Sequence, residues 1–173
     1  MITIISGTNR PHSNSERLAE YYHNRLKEKG AASRILRLTD LPDNFIKADM
    51  FGKRSPAFTP IQQMVSETEK FVFIIPEYNG SFPGILKTFV DACKFPDSFF
   101  NKKATLVGHS TGKYGNIRGV DHFTGVCNYL RLHVLPLRIH IPQIVQEFDE
   151  NDRLYREDTL RFTDEQIDEL IRF

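Results

Sequence analysis

Several features that mark particular classes of protein are missing from this chain. It has no tryptophan and only two cysteines in 173 residues, and its 23 lysines and arginines nearly balance its 22 aspartates and glutamates. A net charge of +1 gives no overall field for nucleic acid or an acidic membrane, so we expect neither partner. No apolar run approaches the roughly 20 residues that span a bilayer. The opening residues, MITIISGTNRP, lack the basic and long apolar regions of a signal peptide, and we therefore expect a cytoplasmic protein.

The two cysteines, Cys93 and Cys127, lie within apolar helical patterns. Neither belongs to a C-x-x-C pair, and no histidine cluster has the spacing of metal ligands, so we expect no metal site. We predict two buried, reduced thiols. A structural disulfide or a catalytic thiol is the alternative.

Strand-like and helix-like segments alternate along the chain. The predicted strands are ITIIS (2–6), RILRL (34–38), KFVFIIP (70–76), KATLVGHS (103–110) and HVLPLRIHI (133–141), the last weakened by Pro136. The predicted helices run from Ser15 to a cap at Gly30, from Pro83 through Cys93, from Ile117 to Leu130, and from near Thr163, where TDEQ resembles a capping box.

This alternation predicts βαβ units and one flavodoxin-like α/β domain over residues 1–173. We expect a doubly wound, five-stranded parallel sheet in the order 2-1-3-4-5, with helices on both faces in three α/β/α layers. The segment from Leu41 to Pro60, with its prolines and mixed charges, is predicted to be a surface excursion. A mobile lid or an oligomer contact there is left open.

Ligands of such sheets bind beyond the carboxyl ends of the strands, where the strand order reverses. The loop after the first strand, SGTNRPHSNS (6–15), places hydroxyls and an arginine just before a helix, an arrangement that suits a phosphate. The alternative is that Ser13 or Ser15 merely caps the helix. The loop lacks both G-K-[ST] and G-x-G-x-x-G, which disfavours ATP and Rossmann sites and favours a monophosphate.

The loop after the third strand, PEYNGSFPG (76–84), is predicted to turn tightly at Asn79 and Gly80. Tyr78 offers an aromatic wall there, and outward-facing backbone groups would suit a flat heterocycle. The alternative is an ordinary strand-to-helix turn in which Ser81 is the N-cap.

The loop after the fourth strand contains GHSTG (108–112), which matches the G-x-S-x-G of serine hydrolases. A triad would need an acid and a histidine after Ser110, and Asp121 with His133 or His140 formally qualify. However, no HGGG-like segment precedes it, KYGN starts a helix poorly, and a hydrolase leaves the other two loops unexplained. We favour glycines that let a flat ring approach the backbone closely.

The segment P-E-Y-N-G-S-x-P-G-x-L-K, from Pro76 to Lys87, resembles the flavin loop of the NADPH-dependent FMN reductase family, which includes quinone, azo-dye and chromate reductases. The first loop resembles that family's phosphate loop, G-S-x-R-x-x-S-x-N, with Thr8 for its serine and Ser15 for its asparagine. The resemblance implies an FMN site whose phosphate ligands are Thr8, Arg10, Ser13 and Ser15, with Asn14 nearby. Ser6 belongs to the same polar cluster of the first loop and is a further candidate for cofactor binding. The resemblance also implies ring contacts from Pro76, Glu77, Tyr78, Asn79, Gly80, Ser110, Thr111, Gly112 and Gly115, with Asn116 where a second glycine is usual.

The same resemblance implies an FMN-dependent oxidoreductase that takes hydride from NADPH or NADH and reduces flavin, quinone or a related small acceptor in a ping-pong cycle. We assign no catalytic side chain, because the flavin carries the chemistry. A homodimer or homotetramer is also implied. The competing hypothesis is a flavodoxin-type electron carrier, which the net charge of +1 disfavours because such carriers are strongly acidic. A serine esterase using Ser110 is the third hypothesis.

Overall fold

The computed structural model describes all 173 residues. Its strands are β1 (Ile2–Ser6), β2 (Ser33–Arg37), β3 (Lys70–Pro76), β4 (Lys103–His109), β5 (His133–Val134) and β6 (Ile139–Ile141). Its α-helices are α1 (Asn14–Glu28), α2 (Phe45–Ala48), α3 (Thr59–Glu67), α4 (Gly84–Ala92), α5 (Ile117–Tyr129) and α6 (Glu157–Arg172).

All strands run parallel in one sheet, in the order β2-β1-β3-β4, and β5 and β6 both pair with the outer side of β4. This confirms the predicted order 2-1-3-4-5. The chain runs from β1 to β2 on one side and crosses back to β3 on the other. Ser6 therefore lies level with Ile74, and Pro76 lies level with His109. The loops after β1, β3 and β4 consequently leave the same edge of the sheet.

The sheet separates two apolar cores. Along β3, Phe71, Phe73 and Ile75 belong to one core, and Val72 and Ile74 belong to the other. Successive strand side chains point to opposite faces, which accounts for the alternation. Helices α3, α4 and α5 cover the first face, and α1 and α6 cover the second. The predicted three-layer arrangement is confirmed.

The predicted fifth strand is interrupted. It forms the short strands β5 and β6, with Pro136 between them. Proline has no N–H for a strand ladder, so the pairing with β4 lapses around it and then resumes.

The last helix begins earlier than predicted. It starts at Glu157, six residues before Thr163, so TDEQ is not a capping box. Instead, the Thr163 hydroxyl donates to the carbonyls of Thr159 and Leu160 inside the helix, at 2.7 and 3.1 Å. Leu160 also packs against the core that α6 covers, so the apolar face extends before the predicted start.

Residues 41–60 run mostly along the surface, as predicted, but three of them are buried and add to the core. Phe45 and Phe58 are buried, with ring centroids 5.4 Å apart. The buried carboxylate of Asp49 accepts a hydrogen bond from the Ser55 N–H at 2.5 Å. The segment therefore closes one end of the larger core.

Both cysteines are free and buried, as predicted. Burial raises the pKa of Cys127 to about 12 and also lifts the pKa of Cys93 far above its usual range. Neither thiol is thus available as a thiolate nucleophile. None of the helices combines the length and the apolar character needed to cross a bilayer.

Candidate functional site

The first loop passes tightly over the edge of β3. The Gly7 N–H donates to the Ile74 carbonyl at 2.9 Å, and a Cβ on Gly7 would lie only 2.5 Å from that oxygen. Only glycine fits this approach. The next residue, Thr8, is thereby held at the edge of the sheet where β1 ends, and its side chain is buried there.

The N-terminus of α1 combines a cap with free donors. Ser13 is the N-cap: its hydroxyl accepts from the Glu16 N–H, and the Glu16 carboxylate accepts from the Ser13 N–H, both at 3.3 Å. The capping alternative for Ser13 is therefore correct, although its O–H can still donate. The backbone N–H groups of Asn14 and Ser15 have no partner, which is the usual state of a first helical turn. The exposed Arg10 forms no ion pair.

The second loop forms the tight turn that the sequence predicts. Asn79 and Gly80 both have positive φ, at 51° and 76°, and Tyr78 and Ser81 exchange backbone hydrogen bonds across them. The Tyr78 hydroxyl lies 2.7 Å from the Thr8 hydroxyl, so this turn is tied to the first loop. Ser81 is not the N-cap of α4, because Pro83 holds that position.

The third loop is organised around Ser110. Its hydroxyl donates to the Gly112 carbonyl and accepts from the Gly115 N–H, both at 3.0 Å. Gly115 packs on the backbone of β6, where a Cβ would lie 2.7 Å from the carbonyl carbon of His140. Asn116 has φ of 63°, a left-handed conformation that asparagine tolerates, and it caps α5. Asparagine thus fits where the resembling family usually has glycine.

A hydrolase elbow is absent. Helix α5 begins seven residues after Ser110, whereas an elbow turns directly into its helix. No histidine bonds to Ser110, and Asp121 pairs with Arg138 at 3.1 Å. The Ser110 hydroxyl stabilises its own loop instead.

His109, at the end of β4, lies behind the helix N-terminus. Its Nε2 is 2.8 Å from the Ser15 hydroxyl oxygen, and its Nδ1 has no partner. The side chain is buried, and burial lowers the pKa of His109 to about 3, so the ring is neutral at neutral pH. The sequence places His109 next to the third loop but gives no sign of this contact.

The three loops enclose one cavity of about 340 Å³. Ten predicted site residues line it: Thr8, Arg10, Ser13, Asn14, Ser15, Pro76, Glu77, Tyr78, Ser110 and Thr111. The other five lie outside this lining: Ser6, Asn79, Gly80, Gly112 and Gly115. Four lining residues were not among the predicted ligands: His12, His109, Ile144 and Val145. Ile144 and Val145 follow β6, which the sequence does not connect with the other loops.

Larger cavities lie elsewhere, but their chemistry differs. One of about 600 Å³ lies between α4 and α5 and is mostly apolar, and one of about 960 Å³ lies beside β6 and α6. The larger of the two does reach a helix N-terminus, that of α6, but Glu157 and Asp158 of that first turn and Glu147 line it with carboxylates, where the three-loop cavity has hydroxyls and Arg10. The 340 Å³ cavity falls within the volume of about 300–1,000 Å³ that is usual for small-molecule sites.

The residues of this cavity fit a flavin mononucleotide. Unpaired N–H groups, the hydroxyls of Thr8 and Ser15 and the guanidinium of Arg10 offer donors and positive charge to a phosphate. The Ser6 hydroxyl, buried beneath the same loop, also has no partner. Tyr78 supplies an aromatic surface at the mouth, where 38% of it is exposed.

Comparison with known proteins identifies a family of flavin reductases and relatives that are named quinone and FMN reductases. The model of the family described as NADPH-dependent FMN reductase matches residues 1–146. The chain is 28% identical over 105 residues to a 2-hydroxy-1,4-benzoquinone reductase of Burkholderia sp, covering 58% of this chain and 57% of that protein. It is 27% identical over 118 residues to an NAD(P)H-dependent FMN reductase of Pseudomonas aeruginosa, covering 66% and 64% respectively. The matches thus span between about half and two thirds of these relatives.

Solved structures show the same fold. FerB, a flavoenzyme NAD(P)H:(acceptor) oxidoreductase from Paracoccus denitrificans, superimposes with a TM-score of 0.80 at 18% identity, over 99% of this chain and 94% of that one. The NADH:FMN oxidoreductase EMOB, in its apo form, gives a TM-score of 0.80 at 17% identity, over 98% and 87%. Likeness at this level of identity concerns the fold alone.

Proposed function

The chain belongs to the NADPH-dependent FMN reductase family, and on that premise we propose that it is an FMN-dependent NAD(P)H oxidoreductase whose flavin site is the three-loop cavity. Its acceptors would be flavin, quinone or related small molecules. The observation that carries the proposal is the meeting of free helix N–H groups, buried hydroxyls and Arg10 with Tyr78 in one cavity.

The first loop would hold the phosphate end of the cofactor. The N–H groups of Asn14 and Ser15 and the hydroxyls of Thr8 and Ser15 can donate to phosphate oxygens. The positive end of the α1 dipole favours the same negative charge. Arg10, which has no carboxylate partner, would add a fixed cation at the cavity rim.

The second and third loops would hold the ring system. Pro76, Glu77 and Tyr78 form one wall of the cavity, and Ser110 and Thr111 form another. The hydrogen bond between Tyr78 and Thr8 fixes the ring wall relative to the phosphate loop. Preorganisation of this kind lowers the entropy lost on binding.

FMN, when bound, would supply the redox chemistry, accepting hydride from NADPH or NADH and passing electrons to the acceptor in a ping-pong cycle. We assign no nucleophile or general acid to the chain. Its side chains bind, orient and shield the cofactor, and such positioning by itself contributes substantially to rate.

The absorption spectrum of the purified protein tests the cofactor. We expect yellow flavin bands, or their appearance after reconstitution, and release of FMN on denaturation. A colourless protein that cannot be reconstituted with FMN would refute the proposal.

Turnover distinguishes an enzyme from an electron carrier. We expect steady oxidation of NADPH or NADH when a quinone is added to the flavin-loaded protein. Failure with every quinone, flavin and azo acceptor would favour the flavodoxin-type carrier.

We also propose a homodimer or homotetramer, as the family resemblance implies. The cavity is open where Tyr78 is exposed, so a neighbouring subunit could complete its wall. Sedimentation equilibrium should give a mass of two or four chains, and a monomer at micromolar concentration would contradict this part of the proposal.

A further inference from the structure

Ser15 and His109 form a buried polar pair at the floor of the three-loop cavity. Both side chains are almost completely shielded from solvent, and their polar atoms are 2.8 Å apart. The two residues are 94 positions apart in the chain and come from α1 and the end of β4. No other hydrogen bond uses the Ser15 hydroxyl, and the Nδ1 atom of His109 has no partner.

The unpaired Nδ1 indicates which ring nitrogen carries the proton. Because the imidazole is neutral, one nitrogen is a donor and the other an acceptor. A proton on Nδ1 would leave a buried N–H without any acceptor, which is a rare arrangement in proteins. A proton on Nε2 leaves only an unfilled lone pair at Nδ1. The Nε2–H group then donates to the Ser15 oxygen.

This direction determines what Ser15 can do. With its oxygen accepting from His109, its own O–H has no partner in the protein. Ser15 lies in the first turn of α1, beside the unpaired N–H groups of that turn. The hydroxyl is therefore a ready donor to an anion at the helix N-terminus, and a donor polarised by a preceding hydrogen bond is strengthened.

We propose that His109 is a positioning residue that commits the Ser15 hydroxyl to donating to the phosphate monoester of the bound flavin. The inference rests on the proposed function, which it deepens by assigning the preference for FMN over riboflavin to a Ser15–His109 relay. In this relay His109, which also lines the cavity, acts on the phosphate through the Ser15 hydroxyl.

The ratio of riboflavin to FMN dissociation constants, measured by quenching of flavin fluorescence, tests the relay. Ser15→Ala and His109→Leu should each weaken FMN binding by about tenfold, at the lower end of what a hydrogen bond to a charged group contributes. Riboflavin binding should change less than about twofold, because riboflavin lacks the phosphate. His109→Gln, whose amide nitrogen can replace Nε2–H, should retain most of the ratio.

Two further variants sharpen the comparison. The double variant S15A/H109L should be no worse than Ser15→Ala alone, because His109 acts through Ser15. His23→Leu is the matched control: it removes another histidine–serine hydrogen bond, 2.9 Å long, between α1 and β2 and outside the cavity lining. It should leave the ratio unchanged.

The tautomer can be read in the wild-type protein, even if a variant fails to fold. Long-range ¹H–¹⁵N correlation of the FMN complex should show a neutral His109 with its proton on Nε2. An Nδ1–H tautomer, or an unchanged ratio in a folded H109L, would overturn the inference. Equal weakening of FMN and riboflavin would also overturn it, since that indicates packing alone.

The two proposals fail differently. If the wild-type protein binds riboflavin as tightly as FMN, the relay to the phosphate is refuted, while the proposed flavin site still stands. Wild-type protein that binds neither flavin would remove the proposed function and the relay with it.

Discussion

Acid should destabilise the ligand-free protein through His109. Burial alone lowers the pKa of this imidazole from 6.5 to about 3, because the charged ring would lose its hydration in the interior. Below pH 6.5 His109 is protonated in the unfolded chain, whereas it stays neutral in the folded chain down to about pH 3. The free energy of unfolding should therefore fall by about 1.4 kcal/mol per pH unit as the pH drops from 6.5 towards 3. Between pH 7.5 and 5.0 this group should cost about 2 kcal/mol.

Urea unfolding across that pH range, for the wild type and His109→Gln, isolates the effect. Glutamine does not titrate, and the two proteins share every other ionisable group. The difference between their pH dependences therefore reports His109 alone. We expect the wild type to lose about 2 kcal/mol more than the variant between pH 7.5 and 5.0. Parallel pH curves would mean that His109 accepts a proton as easily in the folded state as in the unfolded state. That result would refute the conclusion that the His109 ring is buried against Ser15.

Local geometry gives three more expected outcomes. Gly7→Ala should destabilise the fold by about 2–4 kcal/mol in urea unfolding, since its Cβ would meet a β3 carbonyl at 2.5 Å. The control Gly84→Ala, whose new Cβ would meet no atom within 4 Å beyond its chain neighbours and its own helix backbone, should be at least as stable as the wild type, because alanine lowers the entropy of the unfolded chain; equal midpoints for the two variants would refute the steric argument. Ser110→Ala should cost about 1–2 kcal/mol by removing two loop hydrogen bonds and should not alter ester hydrolysis, whereas a drop in hydrolysis would support the esterase. Cys93 and Cys127 should react with a disulfide reagent at pH 8 only after unfolding, and rapid labelling of the folded protein would contradict their burial.

The local sequence predicted most of the architecture. The continuous apolar run of β3 and the apolar spacing of α1, α4 and α5 are patterns that one short segment expresses by itself. The turn at Asn79 and Gly80 was equally predictable, because these residues tolerate positive φ.

The predictions that differed from the structure concern segments whose local sequence is compatible with two conformations. A threonine followed by acidic residues can start a helix or lie inside one, and the packing of Leu160 decided for the longer helix. Similarly, the polar segment around Phe45 and Phe58 looks like a loop in sequence. The burial of those two rings depends on the rest of the core.

The sequence by itself determined that three unusual loops share one edge of the sheet. Its alternating strands and helices predict parallel strands joined by right-handed crossovers, and the carboxyl ends of such strands, which the loops after β1, β3 and β4 follow, lie at the same edge. Only the tertiary structure decided which polar atoms meet there. Thr8 pairs with Tyr78 across 70 residues, and Ser15 with His109 across 94. Such contacts depend on strand register and on tenths of an ångström in loop position. No periodicity in the chain records those quantities, since each partner belongs to a different segment with its own local pattern.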